Sequence, residues 1–211
     1  MLVKTQIPKT LKERMELEEE LRVPASFEDF LDLLEKCEYR IEYDEGQIIS
    51  FMGYATRNHE IIVAHLIRLI GNLIDLELYS VFGSNLALHV PGFGKRYYNA
   101  DCVVVKGEDE EVTLRGTMKA IANPVLIIEV LSASSYDFDL GGKFRNYKKI
   151  PSLQQVIYID STEMSVLTYT RYNGQDEWLL REFTDPAQEV PILSDGILNM
   201  ADIYNKIKFN K

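Results

Sequence analysis

The stretch PVLIIEVLSASSYDFDLGGKFRNYKKIPSLQQVIYID, residues 124–160, predicts a buried strand, a helix and a second strand. In its first segment, PVLIIEVL, strand alternation places Glu129 on the same face as Ile127 and Leu131, and the opposite face is apolar as well. An ionised carboxylate in such a strand needs a cation, a hydrogen-bond network or a raised pKa. Glu129 is therefore the first candidate for a functional residue.

A second acid, Asp101, stands at the entry to another apolar strand in the segment NADCVVV, and this strand can lie beside the first. Two acids on neighbouring strands repel each other unless they are separated, protonated or bridged. A divalent cation bridges them naturally, and oxygen ligands suit Mg²⁺ or Mn²⁺. The pair Asp101 and Glu129 therefore predicts a metal site.

The helix that follows Glu129 adds a lysine to this pair. Asp139, Lys143 and Tyr147 are spaced four residues apart, so they project from one helical face, and Lys143 can reach over the end of the Glu129 strand. An Asp, a Glu and a Lys that converge on one cation are typical of metal-assisted phosphodiester hydrolysis.

Capping residues, turn residues and hydrophobic periodicity predict further helices and strands in the rest of the chain. Ser26 and Asp29 form a capping-box-like start to a helix in SFEDFLDLLEKCEY, and a hairpin turns at residues 44–46. Asn58 precedes a long amphipathic helix, and Asn173-Gly174 marks a second hairpin. The segment EDEEVTLRGTMKAIAN is turn-rich, and ILNMADIYNKIK predicts a final short helix. The order helix, three strands, helix, strand indicates an α/β fold with a mixed β-sheet flanked by α-helices.

Length and composition set the boundaries of the domain. The 211 residues suit one domain, which we place at residues 26–211, preceded at residues 1–25 by a charged N-terminal extension that can form a short helix. No segment approaches the roughly 20 apolar residues that a membrane helix needs, and nothing in the N-terminus directs the chain out of the cytosol. We therefore expect a cytoplasmic protein with no membrane partner.

The net charge of −10 weighs against tight DNA binding through a basic face. It leaves room for a small basic or metal-bearing cleft, because local potential rather than total charge steers a ligand. The segments GFGKRYY, residues 92–98, and KFRNYKKI, residues 143–150, are the two basic patches that can supply such a potential.

Three segments together carry a resemblance to a known family: ADCVVV, the stretch at residues 124–160, and IEYDEGQIISFMGYATRNHEIIV upstream. Over about residues 26–200 the chain resembles the Uma2 family of the restriction-endonuclease-like PD-(D/E)XK superfamily. The resemblance implies a restriction-endonuclease-like core of αβββαβ order, here with extra hairpins. It also implies a nuclease that depends on Mg²⁺ or Mn²⁺.

The residues of the family's motifs can be matched to single positions of this chain, and a few positions have a different residue type. Asp101 matches the acid that opens the first core strand, although Ala100 replaces the usual preceding proline. Glu129 matches the glutamate of the E-V-L-S-P-S-T segment, in which Ala133 and Ser135 replace proline and threonine. None of these departures removes an expected metal ligand.

The candidate catalytic lysine of this chain lies at a different position from the lysine in the PD-(D/E)XK pattern. That pattern implies a lysine two residues after the glutamate, where this chain has Leu131. The family's D-x-x-x-K-x-x-x-Y helix matches Asp139, Lys143 and Tyr147, with Gly142 in place of a common glutamate. The resemblance therefore implies that Lys143 takes the role of the lysine, and that Asp139 and Tyr147 hold it or close the pocket.

Upstream, the match places Glu42 where such folds supply another acid, and His59 where the family has a histidine near the start of the long helix. Structural alternatives remain for each candidate. Asp101 can end a strand, Glu42 can face solvent on a hairpin, and His59 can be a hydrogen-bonding residue at a helix start. Lys143 can be an exposed partner of Asp139.

Two functions from different classes follow. In the first, Asp101, Glu129 and Glu42 bind Mg²⁺ or Mn²⁺, and Lys143 positions the attacking water in the cleavage of nucleic acid, with DNA as the expected substrate. In the second, the protein is a non-catalytic binding or regulatory module of the same fold. A homodimer through exposed sheet edges or the N-terminal helix is open in either case.

Overall fold

The computed structural model describes residues 7–51, 55–92, 94–132, 135–172, 177–194 and 196–209. The strands in these ranges are, in chain order, β1 (Glu20–Pro24), β2 (Glu42–Asp44), β3 (Gln47–Phe51), β4 (Tyr79–Gly83), β5 (Ala87–His89), β6 (Arg96–Asn99), β7 (Cys102–Lys106), β8 (Glu111–Arg115), β9 (Met118–Ile121), β10 (Pro124–Leu131), β11 (Gln155–Asp160), β12 (Val166–Tyr172), β13 (Glu177–Phe183), β14 (Glu189–Ile192) and β15 (Gly196–Asn199). The helices are α1 (Leu11–Met15), α2 (Phe27–Leu34), α3 (Arg57–Leu73), α4 (Phe144–Tyr147) and α5 (Met200–Ile203), and a π-helical turn, Phe138–Lys143, leads into α4.

The strands of these ranges form two large sheets and the small pair β14-β15. The six-stranded sheet has the spatial order β13-β12-β11-β10-β7-β4, and the seven-stranded sheet has the order β1-β3-β2-β6-β5-β9-β8. In the six-stranded sheet β10 pairs parallel with β11 and antiparallel with β7, so this sheet is mixed. The predicted α/β class with a mixed sheet agrees with the structure, which adds a second large sheet that the sequence did not predict.

The six-stranded sheet is covered on both faces, which explains why β10 is apolar throughout. On one face, Ile62 and Leu66 of α3 pack against Leu126 and Ile128. On the other face, the seven-stranded sheet contributes side chains such as Tyr98 to a second cluster that contains Ile127 and Val103. Burial on both sides removes the alternation that a half-exposed strand would show.

Local sequence accounts for several of the elements. Ser26 caps α2 reciprocally with Asp29, as the capping-box pattern predicts. Glu45 and Gly46 both have positive φ, 43° and 88°, and join β2 to β3 in the predicted hairpin turn. The long helix starts two residues earlier than predicted, because Thr56 rather than Asn58 is its N-cap.

Three other expectations differ from the structure or fall outside it. The turn-rich segment contains the antiparallel hairpin of β8 and β9. The predicted final helix is shortened to α5, because residues 196–199 pair as β15 instead. Strands β12 and β13 pair antiparallel as a hairpin, but its predicted turn at Asn173-Gly174 lies outside the described residues.

The predicted N-terminal extension is part of the sheet where the structure describes it. Strand β1 pairs with β3 over five residues, from Glu20 opposite Phe51 to Pro24 opposite Gln47. The Arg14 side chain is fully buried and donates hydrogen bonds to the carbonyl oxygens of Ser50, Glu18 and Glu19. These contacts attach residues 11–24 to the domain. None of the described helices is long and apolar enough to cross a membrane.

Candidate active site

Asp101 and Glu129 lie opposite each other at the end of the β7–β10 pair. The antiparallel register pairs Val103 with Ile127 and ends with Cys102 opposite Ile128, and Asp101 and Glu129 are the next residues along the two chains. Directly opposed residues point to the same face, with Cβ atoms about 4.5–5.5 Å apart. The Val130 N–H donates to Asp101 Oδ2 at 2.8 Å and holds this carboxylate beside β10. The structure thus brings together the two acids that the sequence singles out.

The Lys143 ammonium group is surrounded by carboxylates. Its Nζ lies 2.9 Å from Glu42 Oε1, 2.9 Å from Asp139 Oδ1 and 3.3 Å from Glu129 Oε1. It also donates to the backbone oxygen of Asn99 at 3.4 Å. Lys143 therefore points toward Glu129, and it is not the exposed helix residue of the structural alternative.

The π-helical turn and α4 present one continuous polar face to β10. Asp139 and Lys143 contact each other from within the turn, and one turn later the Tyr147 hydroxyl donates to Glu129 Oε1 at 2.6 Å. Burial and the neighbouring Glu129 charge hold the pKa of Tyr147 well above its usual range, so the hydroxyl keeps the proton that it donates. The predicted spacing of Asp139, Lys143 and Tyr147 thus corresponds to one shared surface around Glu129.

Burial controls the electrostatics of this group. Glu129 is 3% exposed and Lys143 is 4% exposed. Burial raises the pKa of Glu42 and raises that of Glu129 well above its usual range, although Lys143 opposes both shifts. Burial acts to lower the pKa of Lys143, but Asp139, Glu129 and Glu42 reverse this effect and raise it well above its usual range. One ammonium group cannot balance three carboxylates, so the site favours a further cation or a proton.

His59 and Asp101 form a second polar pair next to the first. His59 Nε2 lies 3.3 Å from Asp101 Oδ2, and its Nδ1 lies 3.5 Å from Glu60 Oε1. Burial acts to lower the pKa of His59, but contact with Asp101 raises it overall. Burial likewise acts to raise the pKa of Asp101, but His59 and the Val130 N–H lower it overall. Asp101 is therefore held as a carboxylate.

Glu42 reaches the site from the other sheet. It lies on β2 of the seven-stranded sheet, and the Asn99 N–H donates to its Oε1 at 2.9 Å. Its second oxygen, Oε2, is buried and has no hydrogen-bond partner among the described residues. Glu42 is thus a buried acid of the site and does not face solvent.

One cavity of about 550 Å³ is lined by Glu42, His59, Asp101, Glu129, Asp139 and Lys143, and also by Arg40, Glu60 and Ser132. Tyr147 does not line this cavity and contacts Glu129 from within the fold. Within the described ranges, no group of three His, Cys, Asp or Glu side chains is arranged to hold a metal ion by itself. Mg²⁺ usually keeps several waters and binds proteins through one or two carboxylates. The opposed Asp101 and Glu129, with the unpaired Oε2 of Glu42 in the same cavity, fit an ion of this kind.

Sequence reasoning missed three residues of the site. Asn99 contributes through its backbone N–H and carbonyl, which residue type cannot reveal. Asn146 donates to the Tyr98 hydroxyl at 2.8 Å, beside the Lys143 group. Only the location of Tyr98 and Asn99 in the sequence, directly before the ADCVVV motif, could have indicated that they lie at the site.

One of the two predicted basic patches is engaged inside the fold. Arg96 of GFGKRYY is buried and forms ion pairs with Asp44 and Glu45. The Lys95 ammonium lies 3.7 Å from the centre of the Phe27 ring. The charge of Arg96 therefore stabilises the hairpin turn of β2 and β3 and is not free to contact phosphates.

A family comparison identifies the chain. The Uma2 family model, described as "Putative restriction endonuclease", matches residues 27–201. The chain belongs to the Uma2 family. The resemblance inferred from the sequence motifs is thereby confirmed, and the matched range contains Glu42, Asp101, Glu129 and Lys143.

Relatives of this Uma2 chain occur in Synechocystis sp. The uncharacterized protein sll1609 is 33% identical over 162 residues, which cover 77% of this chain and 89% of the relative. The uncharacterized protein slr1290 is 29% identical over 183 residues, which cover 86% of this chain and 92% of the relative. Neither name assigns an activity.

A solved structure shares the fold. It is the crystal structure of "a putative nuclease belonging to DUF820" from Anabaena variabilis, with a TM-score of 0.62 and 21% sequence identity. The similarity covers 93% of this chain and 98% of that structure. At this level of identity the comparison establishes the architecture, and the chemistry has to be argued from the site.

Proposed function

We propose that this protein is an endonuclease that hydrolyses phosphodiester bonds of DNA with Mg²⁺ or Mn²⁺ as cofactor. The observation that carries the proposal is the contact of Lys143 Nζ with Glu129 Oε1 at 3.3 Å, in a cavity that Asp101 also lines. An acid pair and a lysine around one point are what metal-assisted phosphodiester hydrolysis requires. The description of the Uma2 family model, "Putative restriction endonuclease", supports the same proposal.

The chain order of the core supports a restriction-endonuclease-like arrangement. Helix α3 is followed by β4, β7 and β10, then by the π-helical turn with α4, and then by β11. Strands β4, β7 and β10 pair antiparallel in succession, and β10 pairs parallel with β11. We assign these elements to the αβββαβ core, with the seven-stranded sheet and the other strands as additions.

Each acid of the site has a proposed role. Asp101 and Glu129 would hold the metal from adjacent strands, and Glu42 would add its Oε2 from the opposite sheet. When bound, Mg²⁺ or Mn²⁺ neutralises charge on the scissile phosphate and lowers the pKa of a water molecule. The excess negative charge around Lys143 is the driving force for cation binding.

The remaining residues hold these groups in place. Lys143 orients the attacking water and stabilises the negative charge that develops on the phosphate. Tyr147 fixes the Glu129 carboxylate by its hydrogen bond at 2.6 Å, and Asp139 fixes the lysine by its ion pair at 2.9 Å. His59 orients Asp101 by its contact with Oδ2 at 3.3 Å. Outer contacts of this kind tune metal ligands in other proteins.

One observation favours the non-catalytic binding or regulatory module as a second candidate. Lys143 already places a positive charge among Glu42, Glu129 and Asp139, so the ammonium group itself compensates part of the charge that a metal would balance. In that case the site is a structural ion-pair cluster, and it needs no cofactor.

The test is cleavage of plasmid and single-stranded DNA with Mg²⁺ or Mn²⁺, with EDTA as the metal-free control. We expect cleavage by the wild type and a loss of about 100-fold or more in Glu129→Gln and in Lys143→Met, because one lost transition-state contact costs roughly 3 kcal/mol. The exposed Glu77→Gln variant is the matched control and should retain activity. No cleavage by the wild type, combined with no Mn²⁺ binding in calorimetry, would establish the second candidate instead.

A further inference from the structure

A second cavity adjoins the proposed active site. Its volume is about 700 Å³, and it shares Ser132 with the active-site cavity. Neighbouring residues of the π-helical turn line opposite cavities: Phe138 and Gly142 line the second cavity, and Asp139 and Lys143 line the first. The π-helical turn is therefore a partition between two open spaces, and the catalytic face of that turn is on one side.

Each cavity contains an exposed arginine, Arg40 in the first and Arg145 in the second. In the part of the chain that the structure describes, neither guanidinium group forms an ion pair or a hydrogen bond. Arg22, which also lines the second cavity, differs from them because it pairs with Glu20 and lies over the Phe138 ring. The Arg40 charge helps to lower the pKa of Asp101 in the same cavity, but neither arginine is held by a direct contact, so both side chains can turn toward a ligand at walls that are otherwise rich in carboxylates.

We propose that Arg40 and Arg145 bind two backbone phosphates of the nucleic acid, one on each side of the scissile bond. Tyr136, which is 40% exposed and lines the second cavity beside Arg145, stacks on a base of the same strand. We call these three residues the phosphate track. This inference rests on the proposed function, since it places the strand across the partition that carries Lys143.

Charge and geometry favour arginine contacts at these two points. With a net charge of −10, the protein has no general attraction for a polyanion, so binding needs local cations that are not engaged in a direct ion pair. A guanidinium group presents a planar set of donors that matches a phosphate bidentately. An exposed tyrosine adds base stacking, which is independent of sequence. Together these groups suit a nucleic-acid strand better than a small anion, because they are distributed over two cavities.

The phosphate track is tested by the salt dependence of DNA binding. Binding of a labelled DNA oligonucleotide is measured at several salt concentrations in Ca²⁺, for the wild type, Arg40→Gln, Arg145→Gln and the double variant. Each lost phosphate contact should reduce the magnitude of the slope of log K against log[salt] by about 0.7 for single-stranded DNA or 0.9 for duplex DNA. The double variant should show a reduction about twice as large. The control is Arg68→Gln, an exposed arginine of α3 outside both cavities, which should keep the wild-type slope.

A second measurement locates the contacts on the strand. Single phosphates are replaced by neutral methylphosphonates along the oligonucleotide, and binding is measured for each arginine variant. Neutralising the phosphate that Arg40 contacts should weaken DNA binding by the wild type and have no further effect on Arg40→Gln. A phosphate on the other side of the cleavage point should show the same pattern for Arg145→Gln. Unchanged melting temperatures of these surface variants confirm that they fold.

The outcomes separate the phosphate track from the nuclease activity. Slopes that stay at the wild-type value in both arginine variants overturn the track, as does a wild type that binds no DNA at any salt concentration. Cleavage with unchanged slopes overturns the track alone. Reduced slopes in a protein that never cleaves DNA overturn the proposed function, and the track then describes a DNA-binding module.

Discussion

Replacement of Lys143 by methionine tests whether its ammonium group compensates the buried acids. Methionine keeps the length and the apolar stem of the side chain, and it removes the charge next to Glu42, Glu129 and Asp139. The folded variant must then take up a proton to restore the charge of the site. The pKa of one carboxyl group in the folded variant therefore rises above its unfolded value of 4.5.

The magnitude follows from that proton. Holding a carboxyl group of ordinary pKa 4.5 protonated costs about 3.4 kcal/mol at pH 7 and about 0.7 kcal/mol at pH 5, at 1.36 kcal/mol per pH unit. Because the folded pKa is raised, the folded state binds more protons than the unfolded state, and stability is lost as pH rises above 4.5. We expect Lys143→Met to lower the free energy of unfolding by about 3–4 kcal/mol at pH 7 and by less than about 1.5 kcal/mol at pH 5.

The assay is urea denaturation of the wild type and the variant at pH 5, 6 and 7, with EDTA present so that no cation replaces the ammonium group. Lys36→Met, at an exposed position after α2, is the matched control and should change stability by less than about 0.5 kcal/mol. A Lys143→Met loss below about 1 kcal/mol at pH 7, or an equal loss at pH 5 and pH 7, would refute the reasoning.

Three further predictions concern the surroundings of the site. Tyr147→Phe removes the hydrogen bond to Glu129 and should cost about 1.5–3 kcal/mol in thermal denaturation, whereas the exposed Tyr172→Phe should be neutral. Arg14→Met leaves the buried Ser50 carbonyl oxygen and the part-buried ones of Glu18 and Glu19 without this donor, so we expect a loss of about 3 kcal/mol and faster proteolysis of residues 11–24. Burial raises the pKa of Cys102 from 9.0 to about 12, so the unfolded thiol loses its proton first and stability falls as pH rises above 9. Between pH 8 and pH 10.5, urea denaturation should therefore show a decrease in the free energy of unfolding that is about 2 kcal/mol smaller for Cys102→Ala than for the wild type.

Each of these three expectations has a contradicting result. Equal effects of Tyr147→Phe and Tyr172→Phe would mean that the Glu129 contact does not contribute to stability. A proteolysis pattern of Arg14→Met identical to that of the wild type would mean that other contacts hold residues 11–24 in place. Parallel alkaline stability curves for Cys102→Ala and the wild type would show that other groups, such as the buried tyrosines, account for the whole alkaline loss.

The centre of the fold was predictable because its signals are local or periodic. The apolar run of β10 and the spacing of Asp139, Lys143 and Tyr147 define a strand and a helical face, and the entry of Asp101 into an apolar strand suggested its neighbour. Those signals were enough to predict the contact between Lys143 and Glu129 that the structure contains.

The second sheet and the N-terminal strand were not predictable, because their interactions are made by backbone groups of distant residues. The segment ELRVP alternates polar and apolar residues over only four positions and ends in a proline, which is too short a signal to predict a strand, so its pairing with β3 is what defines it. A buried arginine such as Arg14 has the same residue type as a solvated one, and its acceptors are carbonyl oxygens. Asn99 was missed for the same reason.

The crossing between the two sheets determines how the protein can change in evolution. Asn99 ends β6 of the seven-stranded sheet and Cys102 begins β7 of the six-stranded sheet, so residues 100–101 are the whole connection. One inserted residue there would reverse the alternation that points Asp101 toward Glu129. Descendants of this chain are therefore free to lengthen the loops at the far edges of both sheets, whereas the connection has to keep its length for as long as the active site is under selection.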